Sequence, residues 1–233
     1  VPPGRLAARL GAGAPPGAGV RWEEDVVMRV LILLAALVAP SLVSASTPRL
    51  ANGDAPALPV DMLGGGQVIL EVTVDDAGTP ADVKVLRDTP PFTGLLRKAV
   101  LGWKFEPRAP GTVLVAGVYA PPTLYLPAPG TPPSDAGSPS ASIPFPTTIV
   151  PETYPPTARA GGGSVLVEVQ VDAEGAVSSA AVVRSAPAFD GTALEAARRW
   201  RFRPARSDGA PAASSAYLVF GFPEPVVPPP AKH

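Results

Sequence analysis

Apolar and polar positions change period along the chain, and the changes mark out elements. Val165-Leu166-Val167-Glu168-Val169-Gln170-Val171 is rich in β-branched residues and passes into strict alternation, which predicts a strand. Asp172-Ala173-Glu174-Gly175 follows with turn chemistry: an aspartate can bond the backbone just after it, and glycine accepts positive φ. Ala176–Arg184 then reads as the return strand of a hairpin. Beyond it Ala193, Ala196, Ala197 and Trp200 fall at i, i+3, i+4 and i+7, one face of a helix. Asp190 is the expected N-cap and Pro204 stops continuation. The apolar segment Ala216–Phe222 is expected to return to the hairpin as a third strand.

The same order occurs earlier in the chain. Gln67–Val74 and Thr79–Arg87 flank the turn Asp75-Asp76-Ala77-Gly78. Leu96, Ala99, Val100 and Trp103 form the helical stripe, with Thr93 as expected N-cap and Pro107 as stop, and Thr112–Tyr119 is the third strand. Residues 64–108 align with 161–205 at a constant offset of 97, with 18 of 45 positions identical. The identities include Glu71/Glu168, Asp75/Asp172, Gly78/Gly175, Phe92/Phe189 and Trp103/Trp200. Two copies of about 70 residues each are too few for a solenoid. The pattern therefore predicts an α+β chain of two small domains, each a β-hairpin, a helix and a third strand, with the helix across one face of the sheet.

Composition places these units within connectors. Proline (33) and glycine (23) make up about 24% of the 233 residues, near the range of low-complexity sequence, yet 46% of residues are apolar and mean hydropathy is +0.22. The aligned cores hold only 6 of the 33 prolines. Residues 127–149 read as a Pro/Ser/Gly linker and 223–233 as a proline-rich tail. With 19 basic and 20 acidic residues the chain has no general pull toward nucleic acid. There is no cysteine, and the single histidine is His233 at the terminus. Thiolate and histidine chemistry are thereby excluded, so no catalytic residue, cofactor, metal or small-molecule substrate is expected, and the chain does not read as an enzyme.

Met28-Arg29 precedes the apolar run from Val30 to Ala39, Pro40 breaks it, and Val43-Ser44-Ala45 supplies small residues for cleavage. Residues 28–45 thus read as a secretory signal peptide, with export to the periplasm. The competing reading is an uncleaved inner-membrane anchor through residues 30–45, against which Pro40 interrupts a span that needs about 20 apolar residues. Residues 1–27 carry no targeting logic, and we expect translation to start at Met28, with 1–27 a mis-assigned upstream segment.

Tyr154-Pro155, Ala158-Arg159, Gly163 with Val165-Leu166-Val167, Asp172-x-x-Gly175, Val182-Val183-Arg184-Ser185, Leu194, Ala197 and Arg199-Trp200-Arg201-Phe202-Arg203-Pro204 together resemble the C-terminal domain of the TonB energy-transducer family. The resemblance covers residues 150–222, and residues 56–126 resemble the family more loosely: they lack the Tyr-Pro pair and carry Leu101-Gly102 where basic residues are usual. It implies a periplasmic, three-stranded antiparallel sheet whose last strand lies at an edge. That edge would accept an extended segment of an outer-membrane transporter or other envelope protein by β-strand addition. Carried over, the candidate peptide-binding edge is Ser215, Ala216, Tyr217, Leu218, Val219 and Phe220, and a homodimer by strand exchange is a further possibility. A membrane-anchored transducer supporting outer-membrane transport is the alternative. Against it, the hydrophobic segment has no polar coupling residue, and the first domain follows it almost at once.

Other features have plainer readings. Trp103, Phe105, Trp200 and Phe202 are expected in the core, although exposed tryptophans would make peptide platforms. Arg198, Arg199, Arg201, Arg203 and Arg206 fit a solvated run near a helix C-terminus. The glycine triplets 64–66 and 161–163 lead into strands and not helices, unlike phosphate loops, and Asp75-Asp76 has too few ligands at calcium spacing.

Overall fold

A computed structural model describes residues 47–59, 64–119, 138–155 and 161–224. The expected signal segment, the upstream residues 1–27, residues 127–137 of the linker and most of the tail lie outside the described residues. The first repeat contributes β1 (Leu50–Asn52), β2 (Gly66–Val74), β3 (Pro80–Arg87), α1 (Phe92–Leu101), β4 (Lys104–Phe105) and β5 (Gly111–Tyr119). The second contributes β6 (Phe145–Thr148), β7 (Gly163–Val171), β8 (Val177–Arg184), α2 (Asp190–Arg199), β9 (Arg201–Arg203), β10 (Ala205–Ser207), β11 (Ala210–Ala212) and β12 (Ser214–Phe222).

Each hairpin forms for the reason its sequence suggests. The Asp75 and Asp172 carboxylates accept from the backbone N–H groups two and four residues on, and Gly78 (φ 76°) and Gly175 (φ 84°) close the turns. A Cβ at Gly175 would lie 1.9 Å from the Phe202 carbonyl oxygen, because Phe202 N–H donates back to the Gly175 carbonyl at 2.8 Å. The helix starts differ from expectation. Thr93 and Asp190 lie inside the first turn and do not cap it; their side chains reach back to accept from Thr89 N–H (2.8 Å) and Ala186 N–H (2.9 Å).

The tertiary arrangement departs further. The chain is α+β, but in place of two separate three-stranded sheets there is one six-stranded sheet, ordered β3-β2-β5-β12-β7-β8. Within each repeat the strands are antiparallel, and the repeats join where β5 and β12 pair in parallel, from Leu114 opposite Ala216 to Tyr119 opposite Gly221. Parallel pairing of equivalent strands implies an approximate two-fold axis running along them in the plane of the sheet. Such an axis turns the sheet over between halves, so α1 and α2 cover opposite faces. One face gathers Val68, Leu70, Val113, Val115 and Tyr217 beneath Leu96 and Val100 of α1. The other gathers Ile69, Leu114, Ala116, Val167 and Leu218 with Ala193 and Ala197 of α2. Both cores therefore take residues from both repeats.

Side-chain size compensates across the pseudo-symmetry. In the first repeat a large Leu96 faces Gly117, where a Cβ would come within 3.0 Å of the leucine. At the corresponding places the second repeat has Ala193 and Phe220, both buried. The Tyr119 ring stacks on Phe92 (4.4 Å between centroids) and overlies Gly221, where a Cβ would lie 2.4 Å from the ring. Gly221→Ala is accordingly expected to lower stability by about 1–3 kcal/mol through overpacking. Gly191→Ala, in the open first turn of α2, should be neutral or raise it by up to about 1 kcal/mol. Urea unfolding of the two variants checks the contrast.

Candidate functional site

The strand proposed to accept a partner is Ser214–Phe222, and the structure places it at the centre of the sheet. Ala216, Tyr217, Leu218, Val219 and Phe220 are bonded on one side to Val169, Glu168, Val167, Leu166 and Val165 of β7. On the other side they meet Leu114, Val115, Ala116, Gly117 and Val118 of β5. Ser215 lies beside Gln170, its Oγ donating to Gln170 Oε1 at 3.1 Å. The expectation that Ser215–Phe220 forms an open edge is thus corrected. Its backbone groups have an intramolecular partner, because the equivalent strand of the other repeat takes the place a peptide would take. A signal for this stands in the sequence. Ala216–Phe222 and Val113–Tyr119 are apolar without alternation, as befits strands buried on both faces, whereas an edge strand with one wet face alternates.

The segments leading into each repeat hold the seam shut reciprocally. Residues 47–58 lie along the second repeat: Thr47 Oγ1 accepts from Ser215 N–H (3.3 Å), Tyr217 Oη accepts from Leu50 N–H (2.7 Å), and Ser164 Oγ donates to the Pro56 carbonyl (2.8 Å). Arg184 donates to the Gly53 carbonyl (2.7 Å) and Asn52 Oδ1, and pairs with Asp54 (2.8 Å). Residues 138–143 do the converse on the first repeat. Ser140 donates through N–H (3.0 Å) and Oγ to the Glu71 carboxylate, and Lys84 Nζ donates to the Ser138 carbonyl (2.8 Å). Each arm also stays with its own repeat, through β1 on β4 and β6 on β9. These crossings link residues more than 50 positions apart and leave no local sequence pattern.

Trp103 and Trp200 are buried, and each indole N–H donates at 2.9 Å to an arm carbonyl, Asp54 and Val150 respectively. Phe105 and Phe202 are buried beside them. Arg198, Arg199, Arg201, Arg203 and Arg206 are solvent-exposed, and Arg206 is spent on the Gly209 carbonyl of the β10–β11 turn. Among the described residues no group of His, Asp or Glu could hold a metal ion, and no helix is long and apolar enough to cross a membrane.

With the geometry in place, comparison with known proteins names the class. Residues 150–222 match the family Gram-negative bacterial TonB protein C-terminal. A solution NMR structure of the Pseudomonas aeruginosa TonB CTD is 31% identical to this chain, over 34% of this chain and 84% of that one, with a TM-score of 0.30. No curated protein matches the chain. The match to the TonB C-terminal domain family, a family of envelope and outer-membrane transport, lies within the second repeat.

Two outcomes follow from the seam. Residues 150–222 expressed alone expose β12 together with Leu166, Tyr217 and Val219. Sedimentation should show that fragment self-associating while the full chain does not. Burial pushes the Tyr217 hydroxyl well above the ordinary tyrosine range; the Leu50 amide opposes the shift and the Glu168 carboxylate adds to it. A folded pKa raised this way contributes stability that is full below about pH 10 and is lost as pH rises through the folded value. Tyr217→Phe should therefore cost about 1 kcal/mol at neutral pH, by stranding the Leu50 amide, and give a shallower alkaline loss in pH-dependent unfolding.

Proposed function

We propose that the protein is a non-enzymatic interaction protein of the cell envelope, exported to the periplasm. In this reading it captures extended segments of outer-membrane transporters or other envelope proteins by β-strand addition, and its first repeat is a divergent copy of the same TonB C-terminal unit. The single observation that carries the reading is a matched family domain in a sheet whose end strands, β3 and β8, have no outer partner among the described residues, while its expected acceptor strand is filled from within. Backbone groups at an open end give affinity and alternate side chains give selectivity.

Mass action argues against a peptide replacing β5 at the seam. A tethered strand competes at an effective concentration of about millimolar or more, which a dilute partner does not match. The exchange a lone copy would make with a second chain is already made within this one, so the reading needs no homodimer. Reach argues against the anchored transducer. In sequence, Thr47 of the first arm comes two positions after the apolar segment, so an anchored chain would have little length with which to cross the periplasm before its first repeat.

Titration of the full chain with peptides from periplasm-facing segments of outer-membrane transporters should give micromolar binding, with new amide hydrogen-exchange protection along one terminal strand. Absence of binding, or binding without strand protection, overturns the reading. Fractionation with mapping of the mature N-terminus should find the protein soluble in the periplasm and starting near Ser46; retention of Met28 in the inner membrane would favour the transducer.

A further inference from the structure

The two open ends of the sheet are not alike. β3 (Pro80-Ala81-Asp82-Val83-Lys84-Val85-Leu86-Arg87) begins with proline and carries three charges, the usual protection of an edge against added strands. β8 (Val177-Ser178-Ser179-Ala180-Ala181-Val182-Val183-Arg184) has no proline and no charge before Arg184, which is engaged by Asp54. The unprotected end belongs to the second repeat.

Internal comparison shows what chemistry that end lacks. Glu71 of β2 and Glu168 of β7 occupy equivalent positions, each directly opposite a residue of its outer strand. Opposite Glu71 stands Lys84, whose ammonium lies 3.9 Å from the carboxylate. Opposite Glu168 stands Ala181, exposed and without a charge. Glu168 is half-buried and accepts from two neutral groups, the Tyr217 hydroxyl at 3.5 Å and the Gln170 amide at 3.4 Å. Arg49, on the arm near Tyr217, is paired with Glu106 at 3.9 Å. On the other face of β8, Ala180 and Val182 pack against the α2 core beside Leu194.

Resting on the strand-addition reading above, we infer that β8 is the acceptor edge, and that it takes an extended partner segment whose basic residue, set opposite Ala181, reaches over that alanine to Glu168. The cation then stands where Lys84 stands in the first repeat. Two strand spacings, about 9.5 Å, separate an added strand from β7, within the combined reach of a lysine and a glutamate side chain. Residues of the segment that point to the α2 face are apolar, to lie beside Ala180 and Val182. A second copy of this chain fits less well, because its own β8 offers only Arg184, already paired with Asp54.

The test uses the full chain and two fluorescent nine-residue probes of alternating valine and threonine, one with a central lysine and one with glutamine there. The lysine probe should bind about fivefold tighter, the scale of a partly exposed ion pair. Amide protection should rise along residues 177–184. Glu168→Gln should bring the two probes to equal affinity without loss of the glutamine probe. Ala181→Lys, which supplies the cation in cis as Lys84 does, should weaken the lysine probe more than the glutamine probe. A lysine preference unchanged in Glu168→Gln, or protection along β3, overturns the inference and leaves strand addition standing. Self-association of the chain through β8 also overturns it. Failure of both probes and of every transporter peptide overturns both readings together.

Discussion

The parallel ladder between β5 and β12 is the constraint on which the rest depends. A strand presents the same backbone donors and acceptors whichever partner it meets, and an unpaired strand buried on both faces would leave those groups unsatisfied at considerable cost. Each repeat has one such strand, apolar on both sides, and each supplies what the other lacks. The turned-over relation of the halves follows from the parallel direction. It puts α1 and α2 on opposite faces and gives each core residues from both repeats. The crossed arms follow too. Each half has a second apolar face that its own helix does not cover, and the segment leading into the other half lies across it.

This arrangement changes what a family domain can do. A lone unit with β12 at its edge would be a strand acceptor at the place the family resemblance implies. Here that place is structural, occupied by Leu114–Tyr119 of the same chain. The consequence is that, among the described residues, the outer strands of the sheet are β3 and β8, which differ in sequence. One carries charges and a proline. The other is small and neutral, with alanine opposite its glutamate.

Much of the candidate site was legible at the level of elements. The hairpins were readable from Asp75/Gly78 and Asp172/Gly175, the helices from their apolar stripes, and the two indoles from their place on those stripes. The helix caps were less so: a threonine or aspartate before a helical run has the same composition whether it caps the first turn or, as Thr93 and Asp190 do, reaches back from within it. The edge assignment failed because pairing was inferred within one repeat at a time. The unbroken apolar runs of Val113–Tyr119 and Ala216–Phe222 carried the information that both strands are interior, but only their tertiary pairing says that each covers the other.

By itself the sequence determined the local units, since a turn, a strand or a helical stripe is decided by residues within a dozen positions of each other. It also determined the duplication and the absence of cysteine or internal histidine chemistry. Only the tertiary structure decided that the two units are one sheet, which arm covers which face, and which strands remain open. Those choices rest on contacts about a hundred residues apart, made by backbone groups common to every residue and by apolar surfaces that do not name their partners.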